Sequence, residues 1–384
     1  MTKSKVIAKF LNSLNVIIDY TKRKKSGKIL MKIAIIGGGI NGVMTAWELC
    51  KKNHNVTLYE KKKLMTQTSS KSSKLLHGGL RYLENFEFSL VKEALKDRAW
   101  WLKNAPKLTT PLKIYIPIYK NSRRSIWVYK IGLILYDFLA GKENIGAHNY
   151  HNLSSMSELC SELKKNKLIG GYSYFDGQMD DYKLGLWAVN EVKKYKNFTL
   201  MENTAIGKLN LNGEIFFDEN KKKFDRIINI AGPWASKILE DNDIDSYYKL
   251  DLIRGSHIII NRRSEHGFFL EVPNERRIFF ALPYNRKTLI GTTEERQTIG
   301  EKIKPSKKEI KNLINAYNTY FVKSISEKDI TESFSGLRPL IKSSSDPNKV
   351  TREYAIELNK NLINVFGGKW TTARQLAKKV ANSL

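Results

Sequence analysis

Apolar positions along this chain recur with two periods. Residues 33–36 form a continuous apolar run of strand type, 40–52 carry helical spacing, and 55–59 are again strand-like. The spacing predicts a helix over 87–104, with Leu90, Ala94 and Trp101 on its buried face and Pro106 enforcing its end. Residues 111–165 alternate between apolar pieces and polar turns. A strand over 170–174, a helix over 180–196 and short strands over 198–201, 208–211, 214–217 and 226–230 follow. The segment 247–296 is strand-rich, at 256–260, 278–281 and 288–291, and reads as antiparallel sheet. A helix over 307–320, a strand over 362–366 and a last helix running to about 381 complete the pattern.

The first strand–helix–strand unit carries chemistry. Gly37, Gly39 and Gly42 stand at G-x-G-x-x-G spacing at the end of the first strand. Gly37 allows the tight turn, Gly39 lets backbone approach a pyrophosphate, and Gly42 lets the helix pack on the strand. The helix opens at Ile40 and Asn41, where N–H groups and the positive dipole end would meet that pyrophosphate. Glu60 closes the second strand; its carboxylate suits two free ribose hydroxyls and would repel a 2′-phosphate. With all four features in register, the unit predicts dinucleotide binding. Near the other end, a strand running into Ala231-Gly232-Pro233-Trp234 places a turn where an α/β sheet meets its ligand. The run Gly367-Gly368-Lys369-Trp370-Thr371-Thr372 repeats the strand, glycine turn and helix start, and could aim a second dipole at the cofactor.

Composition narrows the class. A chain of 384 residues, 41% hydrophobic with mean hydropathy −0.41, suits a globular protein of about two domains. Its most apolar stretch, 126–140, is interrupted by Lys130 and Asp137 and falls short of the roughly 20 residues a spanning helix needs. Two cysteines, Cys50 and Cys160, supply neither a disulfide framework nor a metal site, which fits a reducing cytoplasm. The net charge of +28 would attract nucleic acid or an anionic membrane face. The lysines are scattered, however, and no nucleic-acid motif accompanies them, so most of the charge reads as a Lys-, Asn- and Ile-rich composition and no nucleic acid is expected. Residues 1–30 combine apolar positions at helical spacing with a basic flank at 22–25. They read as an interfacial helix, a loose extension, or untranslated sequence if the chain starts at Met31.

Seven pieces, in order, carry a resemblance: GGGINGVMTAWEL, TSSKSSKLLHGGLRYLENFEFSLVKEAL, NIAGPW, GSHIII, FSGLRPL, TREY and FGGKWTT. Together they make residues 31–384 closely similar to the FAD-dependent glycerol-3-phosphate dehydrogenases. The resemblance implies an α/β fold: a Rossmann-like, glutathione-reductase-like FAD-binding domain with a D-amino-acid-oxidase-type α+β substrate domain. It divides the chain into FAD-binding parts at 31–110, 166–246 and 331–384 and substrate parts at 111–165 and 247–330, after the extension 1–30. It implies oxidation of sn-glycerol 3-phosphate to dihydroxyacetone phosphate, with electrons passing to quinone at the inner face of the cytoplasmic membrane. Long forms of the family carry a further C-terminal helical domain that this sequence, ending at Leu384, does not include. Ala231, Glu294 and Trp370 stand where Thr, Asp and Leu are common.

Carried onto this sequence, the motifs assign FAD to Gly37, Gly39, Ile40, Asn41, Gly42, Glu60, Thr68, Ser69, Ser70, Ser73, Lys74, Leu75, His77, Gly78, Gly79, Gly232, Trp234, Gly336, Gly367, Gly368, Lys369, Trp370 and Thr371. A phosphate dianion needs fixed cations, and Arg81, Arg338, Arg352 and Lys369 are the matching positions. His257 is the candidate base, because a neutral imidazole suits proton abstraction near pH 7. Tyr82 would hydrogen-bond the substrate, and Arg338 would stabilise developing alkoxide charge. The same residues serve a related flavin oxidase that uses dioxygen, or an enzyme for another phosphorylated polyol. A reading from another class is a non-catalytic basic membrane- or nucleic-acid-binding protein.

Overall fold

The computed structural model describes residues 30–342 and 354–384. Residues 1–29 of the extension, and Arg352, lie outside the described residues. In chain order the main elements are β1 (Lys32–Ile36), α1 (Ile40–Lys51), β2 (Asn55–Tyr59), α2 (Phe88–Asn104), β3 (Thr109–Tyr119), α3 (Ile126–Ala140), β4 (Leu168–Met179), α4 (Asp181–Lys193) and β5 (Phe198–Met201). They continue with β6 (Arg226–Asn229), β7 (Leu250–Ile260), β8 (Gly267–Glu271), β9 (Ile278–Tyr284), β10 (Lys287–Gly291), α5 (Lys307–Tyr320), β11 (Ile330–Ile341), β12 (Tyr354–Asn359), β13 (Leu362–Gly367) and α6 (Ala373–Asn382).

One six-stranded sheet runs in the order β12-β13-β6-β1-β2-β5 and is parallel except for the β12–β13 hairpin. Its central strand β1 is buried on both faces from Ile33 onward, as parallel strands covered by helices are. The turn of the hairpin holds Lys360 at φ 50, a left-handed conformation that glycine or asparagine usually supplies. With Lys there, no hairpin signal is present in the sequence, and of the two strands only the second is predicted from its apolar run. Helices α1, α4 and α6 cover one face of this sheet, and their apolar residues join those of β1, β2 and β13 in one core. At its edge Trp47, Trp100, Trp101 and Trp187 meet largely edge to face, the arrangement ring quadrupoles favour.

The second sheet has ten strands and is mostly antiparallel, with β7, β10, β9, β8, β3 and β4 as its spine. Its membership departs from the division drawn from sequence. β4, assigned to the cofactor part, pairs with β3 along the whole length of both strands. β11, also assigned there, pairs with β7 from Ile260 to Leu250, and Leu75–Leu76 pairs with β4. These strands are amphipathic or buried in ways that either sheet would accept, and the partner that decides lies roughly 50 to 100 residues away in sequence. The two sheets therefore interleave along the chain, and β11 and the 68–76 segment bridge them.

Candidate active site

The dinucleotide end is built almost entirely from residues 32–60. Gly37 takes φ +119, and its N–H donates to the Tyr59 carbonyl at 2.9 Å, drawing the turn onto the C-terminal end of β2. A Cβ on Gly42 would sit 1.9 Å from the Gly37 carbonyl oxygen, so only glycine lets α1 start this close to the strand. Glu60 accepts from the Gly38 N–H at 2.8 Å and from the Lys62 N–H at 2.8 Å, which fixes its carboxylate beside the glycine turn. Helix α1 has no side-chain cap. Asn41 presents a buried Oδ1 without a hydrogen-bond partner, and its amide nitrogen is 2.6 Å from where a Cβ of Gly368 would lie. Asn41, in the first turn of α1, thus meets the Gly367–Gly368 turn, whose φ values are 76 and 90. Unfilled donors, an orphaned polar atom, a glycine cradle and a carboxylate at the ribose distance are the set a bound FAD would require, and the residues present fit it.

Segment 68–82 links this end to the second sheet. Ser69 Oγ accepts from the Ile40 N–H at 3.0 Å, and its carbonyl accepts from Trp370 Nε1 at 2.9 Å. Thr68 donates to the Leu337 carbonyl, and Ser70 to that of Gln67. Thr371 is buried, its carbonyl accepting from Trp101 Nε1. Gly232, at φ +58, has open space where a Cβ would lie and opens the short turn Gly232–Trp234 after β6. Two predicted cofactor residues turn inward instead. The Lys74 ammonium is buried against Asp181 at 2.6 Å and also donates to the Ser70 carbonyl. Leu75 packs in the core of the second sheet. The Gly78 N–H is held by Asp176 and Tyr136, and Arg98 completes that buried cluster. Gly79, at φ 80, then turns the chain so that Tyr82 packs back on it; His77 lies with its ring 6.3 Å from that of Tyr82.

The reaction end is assembled from five segments. Lys369 Nζ stands 3.6 Å from the centre of the Tyr82 ring, a cation–π contact. Tyr82 and Arg81 lie near enough to Arg338 to act on its guanidinium electrostatically, so the fold gathers Arg81, Tyr82, Arg338 and Lys369 in one place. Burial pushes the Arg338 guanidinium below its usual range, and Glu294, with an oxygen 3.6 Å away, opposes that shift. Arg338 lies across Gly255, where a Cβ would come within 2.7 Å of Nη2, and donates to the Thr293 carbonyl at 2.9 Å. A cleft of about 410 Å³ opens beside it, lined by Ile253, Glu294 and Leu340 among others. A larger cleft of about 700 Å³, around Tyr284, Arg263 and Arg286, contains none of the predicted site residues.

His257 is buried, with Phe334 stacked on its ring at 4.9 Å and 16°. Its Nε2 is 2.9 Å from Ser73 Oγ, and its Nδ1 is buried without a partner. Burial, with the positive charges of Arg338 and Lys74, lowers the imidazole to about 3, so it is neutral. Gly336 lets the Lys71 backbone close onto β11, since a Cβ there would be 2.9 Å from the Lys71 carbonyl oxygen. The sequence reading missed the polar groups that hold these residues in place: Asp181 under Lys74, the Asp176–Arg98–Tyr136 cluster under Gly78, and Asp97, which binds Arg374 and the Gln375 N–H at the start of α6. It also missed Glu309, though Ser306-x-x-Glu309 is a helix-start signature that could have singled it out. Among the described residues no group of three or more His, Cys, Asp or Glu could hold a metal ion.

The family model for FAD dependent oxidoreductases (DAO) matches residues 32–383. A glycerol-3-phosphate dehydrogenase of Pseudomonas aeruginosa is 35% identical over 370 residues, covering 92% of this chain and 71% of that protein. A D-erythritol 1-phosphate dehydrogenase of Brucella abortus is likewise 35% identical, over 362 residues, covering 90% of this chain and 72% of that protein. Among solved structures, the FAD complex of the glycerol-3-phosphate dehydrogenase from Bacillus halodurans superimposes with a TM-score of 0.73 at 23% identity. It shares the fold over 92% of this chain, and this chain spans 64% of its length.

Proposed function

Because the chain belongs to the FAD-dependent oxidoreductase (DAO) family, we propose that it oxidises sn-glycerol 3-phosphate to dihydroxyacetone phosphate and passes the electrons to a quinone. The observation that carries this reading is the gathering of Arg81, Tyr82, Arg338 and Lys369 beside the neutral His257. A phosphate dianion needs such a cluster, and an alcohol needs a base beside it. When bound, FAD supplies the hydride acceptor. The chain's own residues do the rest. Arg81, Lys369 and Arg352, the last outside the described residues, hold the dianion, and Tyr82 orders Lys369. Arg338, fixed by the Thr293 carbonyl, stabilises negative charge as the C2 hydroxyl loses its proton. His257 accepts that proton. Burial and two nearby cations oppose an imidazolium, so the proton must move on, and Ser73 at Nε2 is the group placed to relay it.

The Brucella relative makes a second substrate specific, since a four-carbon phosphorylated polyol alcohol is chemically equivalent at the reacting carbon. Anaerobic bleaching of the bound flavin by a panel of phosphorylated polyols tests both. Glycerol 3-phosphate should reduce it fastest. Preference for erythritol 1-phosphate would move the assignment to the second substrate, and no bleaching by any of them would overturn the proposal. Peroxide formation in air would replace quinone by dioxygen as acceptor.

The reading also places the protein at an anionic membrane surface, and α3 supports this. Trp127, Ile131, Ile134 and Phe138 line one face of that helix at 65%, 66%, 50% and 78% exposure. Exposed Lys120, Arg123, Lys130 and Lys142 surround them, and the one carboxylate of the helix, Asp137, is engaged by His148. An apolar stripe with a cationic border is the pattern of a helix lying in a bilayer interface. No helix among the described residues is long and apolar enough to cross a membrane. Trp127 emission should shift to the blue with anionic vesicles and not with neutral ones. An unchanged spectrum together with dimerisation lost in Ile131→Glu would assign the face to a second copy instead.

A further inference from the structure

Beneath the reaction end lies a carboxylate that the proposed mechanism does not use. Glu309 is the third residue of α5, in its first turn, and is completely buried. Its Oε1 accepts from the hydroxyls of Ser256 and Thr293, both at 2.7 Å. Its Oε2 accepts from Arg254 Nε at 3.1 Å, from Arg254 Nη2 at 2.8 Å, and from the Ser306 N–H at 2.9 Å. Burial works to raise this carboxyl, but hydrogen bonds from Ser256, Ser306, Thr293 and Arg254 outweigh it and hold it near 2. Glu309 is therefore an ionised group with both oxygens saturated.

Two branches lead from it to the site. Thr293 donates its hydroxyl to Glu309 and accepts from the Ser256 N–H at 2.9 Å, so it is held on both sides. Its carbonyl is the acceptor that fixes Arg338. Ser256 donates to the same carboxylate, and its hydroxyl also meets that of Ser335, directly opposite on β11. The next pair along the register is His257 and Phe334, the stacked rings. One carboxylate thus ties together β7, β11 and the 292–293 turn where these segments present a guanidinium and an imidazole. A helix-capping glutamate needs one bond, to the N-cap backbone. Here that bond is one of five, and the other four run out of the helix toward β7 and the turn after β10.

We propose that Glu309 is a positioning residue for the reaction: its carboxylate fixes the Thr293 carbonyl and the 255–257 backbone, and through them aims Arg338 and His257. This rests on the function proposed above, and the experiment separates the two. Glu309→Gln keeps the shape but sets an amide against hydroxyl donors. Thr293→Val removes the link between Glu309 and the carbonyl that holds Arg338, together with the acceptor of the Ser256 N–H. Ser306→Ala removes the capping contact of the hydroxyl and nothing at the site. For each variant and the wild type, FAD content, Tm, the rate of anaerobic flavin reduction by glycerol 3-phosphate, and the Kd of dihydroxyacetone phosphate from flavin absorbance are measured. Small misplacement of reacting groups costs about a hundredfold in rate. Glu309→Gln and Thr293→Val should therefore slow reduction by about that factor with FAD retained, and Ser306→Ala should lower Tm without slowing it. If Glu309→Gln does not fold, Thr293→Val alone decides. Reduction rates that follow Tm equally in all variants would make Glu309 purely structural and overturn the proposal, with the function intact. A wild type reduced by no phosphorylated polyol would overturn both.

Discussion

The two ends of the site are built in opposite ways. The dinucleotide end is local: Gly37, Gly42 and Glu60 lie within 24 residues of one another and touch through backbone. The reaction end draws on Ser73, Tyr82, His257, Arg338 and Lys369, and only long-range pairing brings them together. Local construction leaves almost no tolerance at individual atoms. Assembly from remote strands shifts the demand to buried polar groups that hold the strands in register. The first end should therefore fail abruptly at single backbone contacts, and the second by degrees as its supports are removed.

The sharpest break is expected at Gly42. An added Cβ would be 1.9 Å from the Gly37 carbonyl oxygen, so Gly42→Ala must push α1 off β1. On Gly39 it would meet only Ser69 Oγ, at 3.0 Å, a side chain that can rotate away. Gly42→Ala should purify colourless and Gly39→Ala should keep part of its flavin, as read from the ratio of flavin to protein absorbance. Equal FAD content in the two variants would show that the close helix start is not what the cofactor needs.

At the reaction end, Arg338→Ala takes a half-buried cation away from the developing alkoxide. Losing one donor of that kind costs about 2.7–4 kcal/mol, which is roughly two to three decades in kcat/KM. FAD content should be unchanged. The loss should be equal for glycerol 3-phosphate and unphosphorylated glycerol, because Arg338 is placed at the alkoxide. Arg81→Ala, at an exposed cation, should cost less and only with the phosphorylated substrate. The reverse pattern in steady-state kinetics with an artificial acceptor would exchange the two roles.

This contrast also explains what could be read from sequence. The β1–α1–β2 unit was legible to within one residue because its spacing is its mechanism: the glycines, the helix start and the acid are determined by neighbours in the chain. Helix α5 was found with both ends correct, since an apolar face at helical spacing is a local signal. The sheet membership of β4 and β11 was not legible, because an apolar strand does not encode which partner it will meet. The inward turn of Lys74 depends on Asp181, 107 residues later. A lysine in a Ser-rich segment carries no sign that its charge will be spent on a buried carboxylate.

A smaller effect is expected where a support of the reaction end is removed without touching the site. The Tyr136 hydroxyl donates to Asp176 at 2.6 Å and accepts from the Gly78 N–H at 2.9 Å, all buried. Tyr136→Phe leaves Asp176 short of a donor, which costs about 1–3 kcal/mol of stability. Tm should fall and FAD should stay bound. A rise in KM for the phosphorylated substrate should accompany it, because the turn carrying Arg81 and Tyr82 loses an anchor. A fall in Tm with unchanged KM would confine the cluster to folding.

The smallest effect in the intact protein comes from two buried groups that titrate against each other. Burial raises the Asp97 carboxyl to about 6, although Arg374, the Gln375 N–H and Lys378 pull it down. A raised carboxyl holds its proton more tightly in the folded state, so stability is gained as pH falls through 6 toward 3.8, by about 3 kcal/mol at about 1.4 kcal/mol per unit. His257 runs the other way. Its folded value is lowered from 6.5 to about 3, so the unfolded chain takes up a proton first and stability is lost as pH falls below 6.5. Between about pH 6 and 4 the two slopes oppose each other, while His54 and His151, also lowered by burial, add to the loss, so Tm of the wild type should fall only gently across that window. Asp97→Asn removes one of them. It also strips Arg374 of its partner, but arginine does not titrate here, so that penalty lowers the whole curve without changing its slope. The variant should therefore lose Tm more steeply from pH 6 to pH 4 than the wild type does. Parallel curves would mean that Arg374 and the start of α6 fully compensate the burial of Asp97, and that the carboxylate is ionised throughout this range.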